Sequence, residues 1–170
     1  MLFRSYAATK HLLEMGSGRV GLVSLYSNQT QMRGRLDGYM EAIDEFQKQP
    51  FIRKLNIEGV EAEIESQIVE FMVDNKLEAV LFANSYLAIR GMKAAKEQAI
   101  GLPNIVVFGD HELFSIYTPT ISVVEQHTQQ LATELMQTLV AEMEDKLEEE
   151  RKVVVPCTLI VRESSTSQPV

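Results

Sequence analysis

One cysteine, no tryptophan and no apolar run of membrane-spanning length mark what this 170-residue chain lacks. With Cys157 alone, no internal disulfide can form, which fits a reducing compartment. A bilayer span needs about 20 apolar residues, and nothing here approaches that. The opening MLFRSYAATKH has neither the apolar core nor the small-residue cleavage site of a secretion signal, so a cytoplasmic location is expected. Basic residues are outnumbered, 16 against 24 acidic, for a net charge of −8. Phosphate backbones are held by clustered Lys and Arg, so these residues are not expected to bind nucleic acid themselves. The acidic stretch from Glu142 to Glu150 reads as a solvated helix end. His11, His111 and His127 share no metal-ligand spacing with one another or with Cys157, so no metal or cofactor is expected. No nucleophile–base pair or nucleophile elbow is visible, which argues against an enzyme. Gly16-Ser17-Gly18-Arg19-Val20-Gly21 spells G-x-G-x-x-G, but its glycines leave a helix and enter a strand. Dinucleotide binding needs the reverse order, with the pyrophosphate at a helix N-terminus, so this is read as a helix cap and a tight turn.

What is present is 45% hydrophobic and patterned, enough for one well-buried domain. Compact apolar runs at Val20 to Leu25, Ala79 to Ala83 and Ile105 to Phe108 read as buried strands, and Phe51 to Ile57, introduced by Pro50, reads as a further strand. Between them lie helical periodicities: Tyr6 to Met15, closed by Gly16; Met32 to Phe46; a face at Val60, Ile64, Ile68, Phe71 and Met72; and Tyr86 to Ala99. Strands alternating with amphipathic helices predict an α/β fold, a doubly wound parallel sheet of flavodoxin-like type. After a β-branched run, Ile121 to Val124, the pattern changes. Gln126 to Met143 reads as one long helix with Leu131, Leu135, Leu139 and Met143 in line, and two short strands flank Pro156.

In such a sheet, ligands sit beyond the carboxyl ends of the strands. Those ends are Ser24-Leu25-Tyr26, Asn84-Ser85-Tyr86 and Gly109-Asp110-His111, and Arg35 lies early in the first long helix. A guanidinium fork, an amide, hydroxyls and a carboxylate on one edge suit a hydroxyl-rich or amide-bearing small molecule. The bland alternatives are that Asp110 caps a turn or helix and that Arg35 sits on a solvated helix face. The helix Tyr86 to Ala99 carries Leu87, Ile89, Met92, Ala94 and Ala95, more apolar surface than one sheet-facing stripe requires. The loop Glu112 to Thr118 adds Leu113, Phe114, Ile116 and Tyr117, so a homodimer contact is expected through these residues.

Along these elements, Lys10-His11-Leu12-Leu13-Glu14-Met15-Gly16 stands before Arg19-Val20-Gly21-Leu22-Val23, and Arg35-Leu36-Asp37-Gly38-Tyr39 follows. The run NIVVFGDHELFSIYTPTISVVE from Asn104 to Glu125 and the late Leu159-Ile160-Val161-Arg162-Glu163-Ser164-Ser165 complete the series. These motifs, in this order, resemble the lac-repressor family of bacterial transcription regulators. The resemblance covers nearly the whole chain but neither the family's DNA-binding helix-turn-helix nor most of its first lobe. The resemblance implies that residues 1–124 form the C-terminal lobe of an effector-binding domain. Residues 125–156, including a strand at Val153 to Val155, would belong to the first lobe; residues 157–163 would return as a strand, and residues 164–170 would be a flexible tail.

The resemblance further implies an effector held by Arg35, Asn84 and Asp110, with Tyr26, Ser85 and His111 around it. It implies an isologous homodimer through the segments just named, and DNA contact only through the helix-turn-helix of a longer protein. Three positions depart from the family: Ser85 where it carries Asp, Gly109 where it has an aromatic, and His111 for Asp or Asn. The carboxylate missing at Ser85 counts against an ordinary sugar. Two other readings remain open at this point, a periplasmic sugar-binding lobe and a response-regulator-like phosphoacceptor. The second needs an Asp at a central strand end, where the first strand ends in Ser24-Leu25-Tyr26.

Overall fold

The computed structural model describes residues 2–56, 60–144 and 153–166. In chain order the elements are α1 (Leu2–Glu14), β1 (Val20–Leu25), α2 (Thr30–Glu45), β2 (Phe51–Leu55), α3 (Glu61–Asp74) and β3 (Ala79–Phe82). Then come α4 (Ser85–Glu97), β4 (Asn104–Phe108), α5 (Glu112–Ile116), β5 (Ser122–Glu125), α6 (Thr128–Met143), β6 (Thr158–Ile160) and a 3-10 turn at Glu163–Ser165. The sheet order is β2-β1-β3-β4-β5-β6. Its first five strands run parallel, and β6 pairs antiparallel with β5. This is the doubly wound architecture expected from the sequence. The strand order reverses between β1 and β3, which opens a crevice at their carboxyl ends.

Both faces of the sheet are covered. One carries Val23, Val80, Phe82, Ile105 and Val107 against α3 and α4, with Ile64, Ile68, Leu87 and Phe114 filling the layer. The other packs Val20, Leu22, Leu81 and Phe108 against α1 and α2 through Leu12, Tyr39 and Ile43. Strands buried on both faces have no polar side to show, which is why they read as unbroken apolar runs. Tyr39 brings a hydroxyl into this layer and satisfies it. It lies 2.8 Å from the Val20 carbonyl and 3.1 Å from that of Phe51, and it accepts the Phe51 N–H at 2.9 Å.

α1 ends at Gly16, φ +93°, with Gly16 N–H on the Leu13 carbonyl and Ser17 N–H on that of Leu12. This paired arrangement satisfies carbonyls that the helix itself cannot. α2, α3 and α4 end in the same way at Gln47, Lys76 and Ala99, whose φ values are +51°, +47° and +53°.

Several expectations need correction. Val153 to Val155 do not form a strand. A β-branched run becomes a strand only where a neighbour pairs with its backbone, whereas here Arg4 donates to the Val155 carbonyl. The stretch after His111, expected as a loop, contains the short helix α5. The start of the expected polar tail is packed: Ser164 and Ser165 are buried. Ser164 accepts from Ser122 N–H at 2.8 Å and donates to the Ile105 carbonyl at 2.7 Å. Ser165 Oγ meets Ser122 Oγ at 2.6 Å and His11 Nε2 at 2.8 Å. The rest of that tail, residues 167–170, and most of the acidic stretch, residues 145–150, lie outside the described residues.

α6 differs from every other long helix. None of its residues is buried. Leu131, Leu135, Met136, Leu139, Val140 and Met143 all face solvent, Met143 at 79% exposure.

Candidate functional site

Arg35 projects from the second turn of α2 toward the carboxyl ends of the strands. Its guanidinium lies 4.6 Å from the centre of the Phe108 ring, a cation–π stack at the end of β4. Nη1 donates to the Ala83 carbonyl just past β3, and Nη2 to Gln126 Oε1 at 3.1 Å. Among the described residues it forms no ion pair. Burial therefore pulls its pKa below the ordinary arginine value; the charge of Arg4 adds to this, and Cys157 opposes it. A guanidinium stays protonated even so. The result is a half-buried cation held by neutral oxygens and an aromatic face.

A cleft of about 480 Å3 opens on this group, lined by Arg4, Thr30, Gln31, Arg35, Phe108, Gln126, Leu131 and Val153 to Val155. That size fits a small metabolite. The uncapped N-terminus of α2 lies on one wall. The first turn of α6 lies on another.

The other expected effector residues are placed differently. Asn84 caps α4, its side-chain oxygen accepting Leu87 N–H at 2.9 Å, so its NH2 is what it could offer a ligand. Ser85 lies 3.2 Å from the Gly109 carbonyl, to which its Oγ donates, tying the start of α4 to the end of β4. Gly109 has φ +88°, and a Cβ there would come within 3.0 Å of Ser85 Oγ. The aromatic of the resembling family therefore cannot be accommodated without rearranging this turn. Asp110 is engaged in a fork with Arg162, Oδ1 to Nη1 at 3.2 Å and Oδ2 to Nη2 at 2.9 Å. Oδ1 also accepts His111 N–H at 2.8 Å. His111 Nδ1 accepts Leu113 N–H at 3.2 Å and so caps α5. Tyr26 stands 71% exposed beyond β1.

Of the six, only Arg35 lines the cleft. Asp110 and His111 line a separate open basin with Glu112, Glu125, His127 and Arg162. Tyr26, Asn84 and Ser85 line neither. Sequence reasoning missed Gln126, Phe108 and Arg4 as lining residues, and Arg162 as the partner of Asp110. Phe108 reads as strand core and Gln126 as an ordinary helix start. Arg162 stands in the late family-like motif, the one signal that could have drawn attention to it.

The expected dimer residues divide in two. Leu87 and Phe114 are fully buried and Met92 nearly so, packed within the core layer on the sheet. Leu113 and Ile116 are exposed, at 46% and 75%. With Ile89 and Tyr117 they rim an apolar basin of about 640 Å3 floored by Met92 and Phe114 and edged by Lys93, Lys96 and Glu97.

Among the described residues no group of three or more His, Cys, Asp or Glu side chains could hold a metal ion. No described helix is long and apolar enough to cross a membrane.

Residues 9–165 match the model of the periplasmic binding protein-like domain. Among curated proteins, the chain is similar to the transcriptional repressor PurR of Haemophilus influenzae, 25% identical over 177 residues, 95% of this chain and 51% of that protein. It is also similar to the transcriptional regulator DegA of Bacillus subtilis, 26% identical over 167 residues, covering 95% and 49%. Among solved structures, a LacI family regulator from Enterococcus faecium with bound ribose superposes with a TM-score of 0.86 at 18% identity, covering 99% of this chain and 64% of that one. The chain thus spans about half the length of the curated relatives it matches. The resemblance to lac-repressor-type regulators read from the sequence holds in these comparisons.

Proposed function

This chain belongs to the periplasmic binding protein-like domain family, and from that premise we propose that it is the effector-binding and dimerisation portion of a LacI-family transcription regulator. It is a binding module, not an enzyme, and acts in the cytoplasm. The observation that carries the reading is Arg35: a half-buried guanidinium with no acidic partner among the described residues, stacked on Phe108 at the mouth of a metabolite-sized cleft.

α6 supports the same reading. In a two-lobed effector domain the chain crosses from one lobe to the other, and a helix that crosses has its apolar face covered by the other lobe. Residues 125–156 are therefore assigned to the first lobe, residues 1–124 and 157–163 to this one. An effector in the cleft would touch Arg35 and Gln126 on one side and α6 on the other, biasing lobe closure and so the spacing of two DNA-binding heads. The heads belong to a longer protein. The two copies meet through Ile89, Leu113, Ile116 and Tyr117. Sugars and sugar-like metabolites are the effector class suggested by the ribose held in one structural neighbour.

The test uses the longest product of the gene that carries this sequence. A metabolite that raises its melting temperature should change its operator affinity by roughly 5–150-fold, the usual span of coupling between sites. The effect should vanish in Arg35→Ala. Metabolite binding that leaves DNA affinity untouched would sink the regulatory reading.

A further inference from the structure

We infer that the cleft selects an anionic effector, one carrying a phosphate or carboxylate group, through Arg4 and Arg35 together. This rests on the effector-cleft reading above and narrows it to a chemical class. Among the described residues, two cations line the cleft and no Asp or Glu does. Among the described residues neither arginine forms an ion pair. Arg4 donates to the Val155 carbonyl and Arg35 to the Ala83 carbonyl and Gln126, all uncharged acceptors. Two acids close in sequence to Phe108 and Gln126 are engaged elsewhere: Asp110 is held by Arg162, and Glu125 faces His127 at 3.7 Å.

Two like charges facing one partly dry space repel each other, and the lowered pKa of Arg35, caused first by burial and also by Arg4, reflects that situation. An anion bound between them relieves the repulsion and takes charge-assisted hydrogen bonds from planar forks suited to carboxylate and phosphate. A neutral sugar does the opposite. It would desolvate both guanidiniums without compensating either charge, and the carboxylate that would take its hydroxyls, Asp110, lies outside the cleft in its pair with Arg162. Phe108, Leu131 and Val153 to Val155 supply the apolar wall for the remainder of the molecule.

The experiment compares matched probes on the 170-residue chain by calorimetric titration: ribose, ribose 5-phosphate and ribonate; glucose, glucose 6-phosphate and gluconate; glycerol and glycerol 3-phosphate. The expected result is saturable binding of at least one anionic member, tenfold or more tighter than its neutral counterpart and weakened by added salt. Arg4→Gln and Arg35→Gln should each lower that affinity about tenfold while the free chain keeps a cooperative melting transition. The phosphate and carboxylate arms separate the two anion types. A neutral probe binding as tightly as its anionic partner, full affinity in Arg4→Gln, or no saturable binding in the whole set would each overturn the inference. A neutral sugar bound through Arg35 would overturn the anion and leave the effector cleft standing. Anion binding that never alters operator affinity in the longer protein would do the reverse.

Discussion

α2 and α6 are both helices of 16 residues with an apolar stripe, and the structure treats them in opposite ways. α2 buries Gly38, Tyr39, Ala42 and Ile43 against the sheet; α6 buries nothing. Local sequence chemistry is much the same in the two. The difference is that α2 follows a strand of this sheet and folds back onto it, whereas α6 leaves by β5, whose next neighbour, β6, arrives only after residue 157. Amphipathic periodicity specifies that a helix has a face to bury, and only topology specifies what buries it. An isolated helix of about this length is marginal in water, and no residue of the α6 stripe is buried.

The largest expected effect separates the two kinds of helix most sharply. Leu87→Ala, on a fully buried position of α4, should cost about 2–5 kcal/mol in urea unfolding of the chain. Leu135→Ala, 66% exposed on α6, should cost less than about 0.5 kcal/mol. Equal losses would mean that α6 is packed against something in solution, and the contrast with α2 would fall.

Tyr39 tests whether α2 is locked by polar as well as apolar contacts. Tyr39→Phe leaves the Phe51 N–H without its acceptor and should cost about 1–3 kcal/mol. Burial pushes the phenol up to about 12 from 10.0. Below the unfolded value both states keep the proton and stability is unaffected. As pH climbs from there toward the folded value, only the unfolded chain ionises, so stability falls across that window. Tyr39→Phe should show a shallower alkaline loss than the parent; identical slopes in alkaline denaturation would place the sensitivity elsewhere.

The smallest effect concerns helix ends. A non-glycine residue in the left-handed region costs about 1–2 kcal/mol, partly offset by the extra chain entropy that glycine loses on folding. Ala99→Gly should therefore raise stability by up to about 1 kcal/mol. A loss would show that α4 does not need its left-handed terminus in solution.

These helix ends also show where the sequence was legible and where it was not. Gly16 announced the end of α1, but Gln47, Lys76 and Ala99 adopt the same conformation with side chains that advertise nothing. The inner strands β1, β3 and β4 were legible because burial on both faces demands unbroken apolar runs, whereas the edge strand β2, with Arg53 and Lys54 in it, carries no such run. Val153 to Val155 carried the same apolar signal and formed no strand, because no strand among the described residues pairs with them. The site was less legible than the fold. Arg35 was found from its place in Arg-x-x-Gly-Tyr, and the structure sets it in a cleft. Asp110 was read as a ligand-binding carboxylate, but it meets an arginine 52 residues away, a pairing that no local pattern encodes. Ser164 and Ser165 read as tail because hydroxyls look solvated until their partners, Ser122, Ile105 and His11, are brought to them by the sheet.

Native-state hydrogen exchange on the dilute 170-residue chain tests the central claim, that α6 belongs to a lobe outside this sheet. Protection should reach its maximum at buried amides such as those of Tyr39, Ala42 and Ile43, and those of residues 132–143 should exchange at least about a hundredfold faster. Residues 132–143 protected as strongly as α2, independent of protein concentration, would contradict the account.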